Sequence, residues 1–259
     1  MWTHPRTIPH CFRGPAAELK SNEWTLTASL ASRSAAFVED VVRLQPRLAV
    51  FDCDGTLWAG DAGEGFFDWE LKHGLVSNEV VRWARPRYAE YQAGKVSEDD
   101  MCGEMVAMHR GLPKAEVQQA AEQYFEEKIV SNIFPEMRVL VRRLQDSGSA
   151  VWAVSSTNEW VIRAGMKHCG IADDHILAAA VEIRDGVITD HLIRVPSGTG
   201  KPKAIREVIG EDPDAAFGNS LWDAEMLKIS RHGFAVNPNP DLEKIAKEQG
   251  WTIYWPEKF

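Results

Sequence analysis

Apolar and polar positions along the chain fall into two regimes that meet near residue 131. Residues 47–51 are mostly apolar, the pattern of a strand covered on both faces, and residues 35–44 before them carry helical apolar spacing. From about residue 60 to 131 no strand-like run occurs. Four helices are expected there. The first holds Phe66, Phe67, Trp69, Glu70 and Leu71 and stops near His73-Gly74; Ser77 caps the second; Ser97 with Asp100 makes an acidic capping box for the third; Pro113 suits the first turn of the fourth.

Beyond Pro135 the two periods alternate. Helices are expected over 136–145, 158–169, 203–209, 223–230 and 241–249, and strands over 150–154, 179–184, 187–195, 215–217, 234–236 and 252–255. Asp185-Gly186 between the second and third of these strands is a hairpin turn signal. Such alternation predicts an α/β fold, a parallel Rossmann-like sheet with helices on both faces, interrupted after its first strand by a small helical domain. The division expected is an irregular N-terminal extension over 1–33, a core over 34–60 and 132–259, and a helical insertion over 61–131.

Composition narrows the class. With 44% hydrophobic and 26% charged residues, the chain is an ordinary globular protein, so disorder is excluded. A net charge of −9 repels polyphosphate backbones and anionic lipid, which argues against nucleic-acid and membrane partners. Cys11, Cys53, Cys102 and Cys169 have neither zinc-site spacing nor the density of a disulfide scaffold and read as free thiols. No run approaches the length of a membrane span, and the first thirty residues lack an apolar signal core. A cytoplasmic protein is expected.

In an open α/β sheet the ligand crevice lies beyond the carboxyl ends of the strands. Four polar segments fall at such ends: Asp52-Cys53-Asp54, Ser155-Ser156-Thr157, the loop from Gly198 to Lys201, and Gly218-Asn219-Ser220. Residues i and i+2 of an extended segment project to one side, so Asp52 and Asp54 can face one substrate. One carboxylate can attack phosphorus while the other protonates the leaving oxygen and later activates water. Gly55 allows a sharp turn, and Thr56 can hydrogen-bond the loop. Ser155 offers a hydroxyl to a phosphoryl oxygen, though Ser155, Ser156, Thr157 and Asn158 equally suit a helix cap. Lys201 can bind a phosphoryl group and hold the nucleophile; Lys203 competes, but is expected to lie already in the helix. Asn219 and Asp223 offer hard-cation donors four residues apart.

These four segments, in this order from about Leu48 to the C-terminus, resemble the motifs of haloacid dehalogenase superfamily phosphatases. The helical insertion is similar to the cap of the phosphoserine phosphatase-like branch. The resemblance implies one Mg²⁺, Asp52 as nucleophile, Asp54 as general acid/base, Ser155 and Lys201 as phosphoryl binders, and metal held by Asp52, the Asp54 carbonyl and the fourth segment through Asn219 and Asp223. True dehalogenases lack the second aspartate, so Asp54 favours a phosphatase. The family usually has Gly-Asp where this chain has Gly218-Asn219, which implies weaker Mg²⁺ binding and more dependence on Asp223. In phosphoserine phosphatases an acidic residue after the first motif reads the substrate amine, which places Asp61 and Glu64, with Ser156 and Asn158, at the substrate. Phe66, Phe67 and Trp69 suit cap–core packing, and Arg163 a solvated helix face. The expected activity is aspartyl-phosphate hydrolysis of a small phosphorylated metabolite. The alternatives are a phosphotransferase or mutase, or a binding protein weakened in metal affinity.

Overall fold

Strand β1 (Leu48–Phe51) lies at the centre of a seven-stranded sheet in the computed structural model, which describes residues 32–257. The extension expected over 1–33 falls outside the described residues except for Ser32 and Arg33, which begin helix α1 (Ser32–Arg43). Cys11 also lies outside them. Between β1 and β2 (Ala150–Asn158) come α2 (Ala62–His73), α3 (Asn78–Gln92), α4 (Glu98–Ala107), α5 (Lys114–Lys128) and α6 (Pro135–Asp146). The remaining elements are α7 (Glu159–Cys169), β3 (Ile176–Arg184), β4 (Val187–Arg194), α8 (Gly200–Val208), β5 (Ala215–Gly218), α9 (Ala224–Ile229), β6 (His232–Val236), α10 (Pro240–Gln249) and β7 (Thr252–Tyr254). The strand order is β4-β3-β2-β1-β5-β6-β7, parallel throughout except for β3 with β4. The expected α/β class is the observed one.

All four β1 residues are buried because both faces are covered. Ala49 and Phe51 face the layer built from α1, α6 and α7, whereas Leu48 and Val50 face α8 and α9. From β1 the chain builds the sheet outward through β2, β3 and β4 on one side, then returns to lay β5 on the other side of β1, so the change of strand order falls at its carboxyl end. That is where an open α/β sheet leaves a crevice.

The helices between β1 and β2 follow their expected punctuation. Ser77 Oγ accepts from Val80 N, Ser97 Oγ accepts from Asp100 N and donates to Asp100 Oδ2, and Pro113 stands immediately before α5. Phe67, Leu71, Met101 and Met105 form an apolar cluster of their own, while Phe66 is buried in the main core and Trp69 packs against it. α5 lies on α7, with Phe125 edge-on to Trp58. Backbone bonds from Gly111 to Ile188 (2.9 Å), Ile188 to Leu112 (3.0 Å) and Lys114 to Gly186 (2.8 Å) tie this region to the β3–β4 hairpin.

Three boundaries near the strand ends differ from expectation in ways that matter for the site, while α1 and β6 begin a few residues early, at Ser32 and His232. β2 continues beyond Val154 to Asn158, because a register shift lets Asn158 pair with Ala179 after the apolar run has ended. β3 starts at Ile176, earlier than residue 179, because Ile176 and Leu177 pair with Ala153 and Val154. α8 starts at Gly200, so Lys201 is inside the first turn, where Pro202 costs no internal hydrogen bond. The hairpin turn is as expected: Asp185 (φ 51°) and Gly186 (φ 78°) are both left-handed, as a two-residue turn of this kind requires.

Candidate active site

Alternation along β1 continues through the residues that follow it, and this assigns the two aspartates. Cys53 keeps to the α6–α7 face with Ala49 and Phe51 and is fully buried in that core. Asp52 continues the Leu48–Val50 side and meets α8, where Lys201 waits. Asp52 is 6% exposed; its Oδ1 accepts from Lys201 Nζ (2.7 Å) and its Oδ2 from Thr56 Oγ1 (2.8 Å). Thr56, expected to bind the loop, thus holds the carboxylate itself.

Lys201 is the largest buried cationic side chain among the described residues and uses all three protons. Besides Asp52, its Nζ donates to Asp223 Oδ1 (2.6 Å) and to the Val154 carbonyl (2.9 Å). Burial disfavours its charge, but Asp223 and Asp52 outweigh that and raise its pKa. Lys203 is exposed and pairs with Glu207, so burial decides between the two lysines. The expectation that only Lys203 would be helical is corrected; Lys201 reaches the site from within the helix.

Asp223 is 1% exposed. Its Oδ2 accepts from the backbone N–H of Asn219 and Ser220 (both 2.9 Å) and from Ser220 Oγ (3.2 Å), so it closes the loop after β5 while its other oxygen holds Lys201. Burial first, then Asp223, raise the pKa of Asp52 to about 6, against Lys201 and Thr56. It is mainly a carboxylate at neutral pH.

Asp54 turns toward the helical region. Its Oδ1 accepts from Trp58 Nε1 (2.8 Å) and Ala62 N (2.6 Å), and its Oδ2 from Thr157 Oγ1 (2.7 Å). Burial and then the nearby Asp61 raise its pKa to about 7, against those three donors. A carboxyl group poised there can give and take a proton near neutrality. Trp58 and Thr157 were not singled out for this role by sequence reasoning. Thr157 was visible only as part of a polar strand end, and Trp58 only by its position four residues after Asp54.

Ser155 is 2% exposed, and its Oγ accepts from Thr157 N (3.2 Å). Its own proton remains free to donate. Ser156 Oγ donates to Glu98 Oε1 (3.1 Å), a residue the sequence reading passed over. Asn158 Oδ1 caps α7 by accepting from Val161 N (3.2 Å), while its buried Nδ2 has no partner. Asp61 caps α2 through Glu64 N (2.8 Å), and both Asp61 and Glu64 are exposed. Arg163 is held by Glu159 and Asp173, outside the cluster.

Asn219 faces the first segment: a methyl group added at Gly55, which has φ 74°, would fall 1.8 Å from Asn219 Nδ2. The donor set suits a hard cation in part. Two buried carboxylates, Asp52 and Asp223, share the one Lys201 ammonium, and the Asp54 carboxyl lies two residues away with no cation in contact, so the place is rich in acidic oxygen. No three His, Cys, Asp or Glu side chains form a metal cage among the described residues. An ion here would take one or two protein carboxylates and complete its shell with water, as Mg²⁺ ordinarily does. Asp223 Oδ1 pairs with Lys201, while its Oδ2 already accepts three hydrogen bonds from the Asn219-Ser220 loop.

A doubly wound sheet with an aspartate pair at its switch point, backed by a buried lysine and a second acidic loop, defines a phosphoryl-transfer hydrolase. Residues 49–228 match the haloacid dehalogenase-like hydrolase family, and the chain belongs to that family. It is 30% identical over 217 residues to a histidinol-phosphatase of Neisseria meningitidis, covering 80% of this chain and 97% of that protein. It is 26% identical over 215 residues to a phosphoserine phosphatase of Mycobacterium tuberculosis, covering 79% and 69%. A Bordetella pertussis protein of unknown function shares the fold at a TM-score of 0.69 and 22% identity, over 80% of this chain and 97% of that one. Within the family the chain is a phosphoric monoester hydrolase. Phosphatases of this family generally use a divalent metal. Among the described residues no helix is long and apolar enough to cross a membrane.

Proposed function

We propose that the protein is a Mg²⁺-dependent phosphatase that hydrolyses a small phosphomonoester through an aspartyl-phosphate on Asp52. The observation that carries this reading is the contrast between two aspartates two residues apart: Asp52 is paired with Lys201, and Asp54 is held with a pKa near 7 at the helical side. In the first step an Asp52 oxygen attacks phosphorus, the bond to the leaving oxygen breaks, and protonated Asp54 gives that oxygen its proton. In the second, Asp54, now ionised, takes a proton from water; the hydroxyl attacks phosphorus, the bond to Asp52 breaks, and phosphate leaves. Lys201 and Ser155 bind the phosphoryl oxygens, and Lys201 keeps Asp52 charged and oriented. Mg²⁺ would be held by Asp52, the Asp54 carbonyl and the Asn219 amide oxygen. When bound it neutralises phosphoryl charge.

Helices α2 to α5, within residues 61–131, serve in this reading as a cap that closes the leaving-group side. The leaving group carries an amino nitrogen. Support comes from the acidic lining of the cleft beside Asp54 and from relatives named for histidinol and phosphoserine phosphates, both amino-bearing. The test is a phosphatase assay over a metabolite panel with and without Mg²⁺, run beside Asp52→Asn. Activity should vanish in the variant and without the metal. Equal turnover by Asp52→Asn would refute the nucleophile.

A further inference from the structure

Three carboxylates border the cleft between the helical region and the end of β2: Asp61, Glu64 and Glu98. They are not equivalent. Asp61 is exposed, and its Oδ1 is taken by the cap of α2. Glu64 is exposed; its side chain meets Gln92 Nε2 at 3.4 Å and the Tyr88 hydroxyl. Glu98 is 9% exposed, with each oxygen fixed by one donor: Oε2 accepts from Tyr91 OH (2.6 Å) and Oε1 from Ser156 Oγ (3.1 Å).

A carboxylate can accept about four hydrogen bonds, so Glu98 keeps acceptor capacity toward the cleft. It belongs to none of the described ion pairs. Burial raises its pKa, against the donors Tyr91 and Ser156 and the charge of Lys201. A buried carboxyl with no cation in contact is a group that an arriving ammonium relieves. Asn158 lines the same cleft, and its buried Nδ2 is without a partner. The cleft therefore brings together an acidic side chain from α4 and an unpartnered amide from β2, the strand that carries Ser155.

We infer that Glu98, oriented by Tyr91 and Ser156, is the specificity-determining residue that binds the protonated nitrogen of the leaving group, in place of the exposed Asp61 and Glu64. Asn158 Nδ2 meets an acceptor on the same group. This rests on the phosphatase reading above. Because Ser156 adjoins Ser155, and Thr157 holds Asp54, a nitrogen bound at Glu98 also sets the leaving oxygen relative to the acid.

The test compares phosphate esters of linear amino alcohols, two to four carbons long, each with its hydroxyl isostere, plus an activated aryl phosphate. Wild type should favour at least one amine by about 10-fold or more in kcat/KM, carried mainly by KM, as expected for a hydrogen bond to a charged group. Glu98→Gln keeps shape and should abolish that preference while leaving the isostere and the aryl ester within about twofold; Glu64→Gln should leave the preference intact. If Glu98→Gln does not fold, Tyr91→Phe should raise the amine KM about threefold or more without touching the isostere. Equal loss on amine and isostere, or a preference that survives Glu98→Gln and moves with Glu64→Gln, overturns the assignment alone. Absence of hydrolysis of every ester by wild type overturns the phosphatase reading and this one with it.

Discussion

Lys201→Met replaces the ammonium at the centre of the site by an apolar side chain of similar length. It leaves Asp52 and Asp223, at 6% and 1% exposure, facing each other without a cation. Removing one partner of a buried ion pair costs about 3–5 kcal/mol, because the remaining charge stays desolvated. The three-way contact with Val154 adds a carbonyl left without its donor, so the upper half of that range is expected. For a chain of this size the loss corresponds to roughly 10 °C in the midpoint of thermal unfolding. The sign with pH is fixed by which groups are left. Burial and then Asp223 hold the Asp52 carboxyl above its unfolded value, and such a group loses stability as pH rises from the unfolded pKa through the folded one. Asp52 already sits at about 6 with the lysine present, so the deficit of the variant should be smaller at pH 5 than at pH 8. Urea unfolding at both pH values measures it. A deficit below about 1 kcal/mol at pH 8, or one that does not shrink at pH 5, would refute the electrostatic account.

Asp54→Asn should reduce turnover of unactivated alkyl phosphates by about 10²–10⁴ and affect an activated aryl phosphate far less, since the second needs no proton for its leaving group. In wild type the pKa of Asp54 near 7 predicts that formation of the intermediate slows as pH rises above 7, because the proton-bearing form is depleted; a pre-steady-state burst rate that stays flat from pH 6 to 9 would contradict this. Gly55→Ala should cost about 1–3 kcal/mol from the left-handed φ and the collision with Asn219, and pairing it with Asn219→Ala should recover part of that, read as a non-additive double-mutant cycle. Asn219→Asp adds a charge beside Gly55, in the segment that carries Asp52 and Asp54, and should lower the Mg²⁺ concentration for half-maximal activity. An unchanged metal titration would remove Asn219 from the metal shell.

Much of this site was legible in the chain because it is local. Strand alternation placed Asp52 and Asp54 against Cys53, turn residues marked Gly55 and Asp185-Gly186, and apolar periods located the strands whose ends carry Ser155 and Asn219. Those are properties of a few consecutive residues, so period and backbone preference suffice. Tertiary structure alone decided what depends on distant partners. Lys201 and Lys203 differ only in which one the helix buries against residues 149 and 22 positions away. The pKa of Asp54 reflects burial and then the neighbouring Asp61, set against the donors Ala62 and Thr157, and the buried contact between Glu70 and His109 (2.6 Å) joins residues 39 apart. Glu98 opens a helix like many other acidic residues and gains its place only because the chain brings Tyr91 and Ser156 to its two oxygens. Pattern determines which face a residue takes; desolvation and charge pairing, which set its chemistry, are determined by packing across the whole chain.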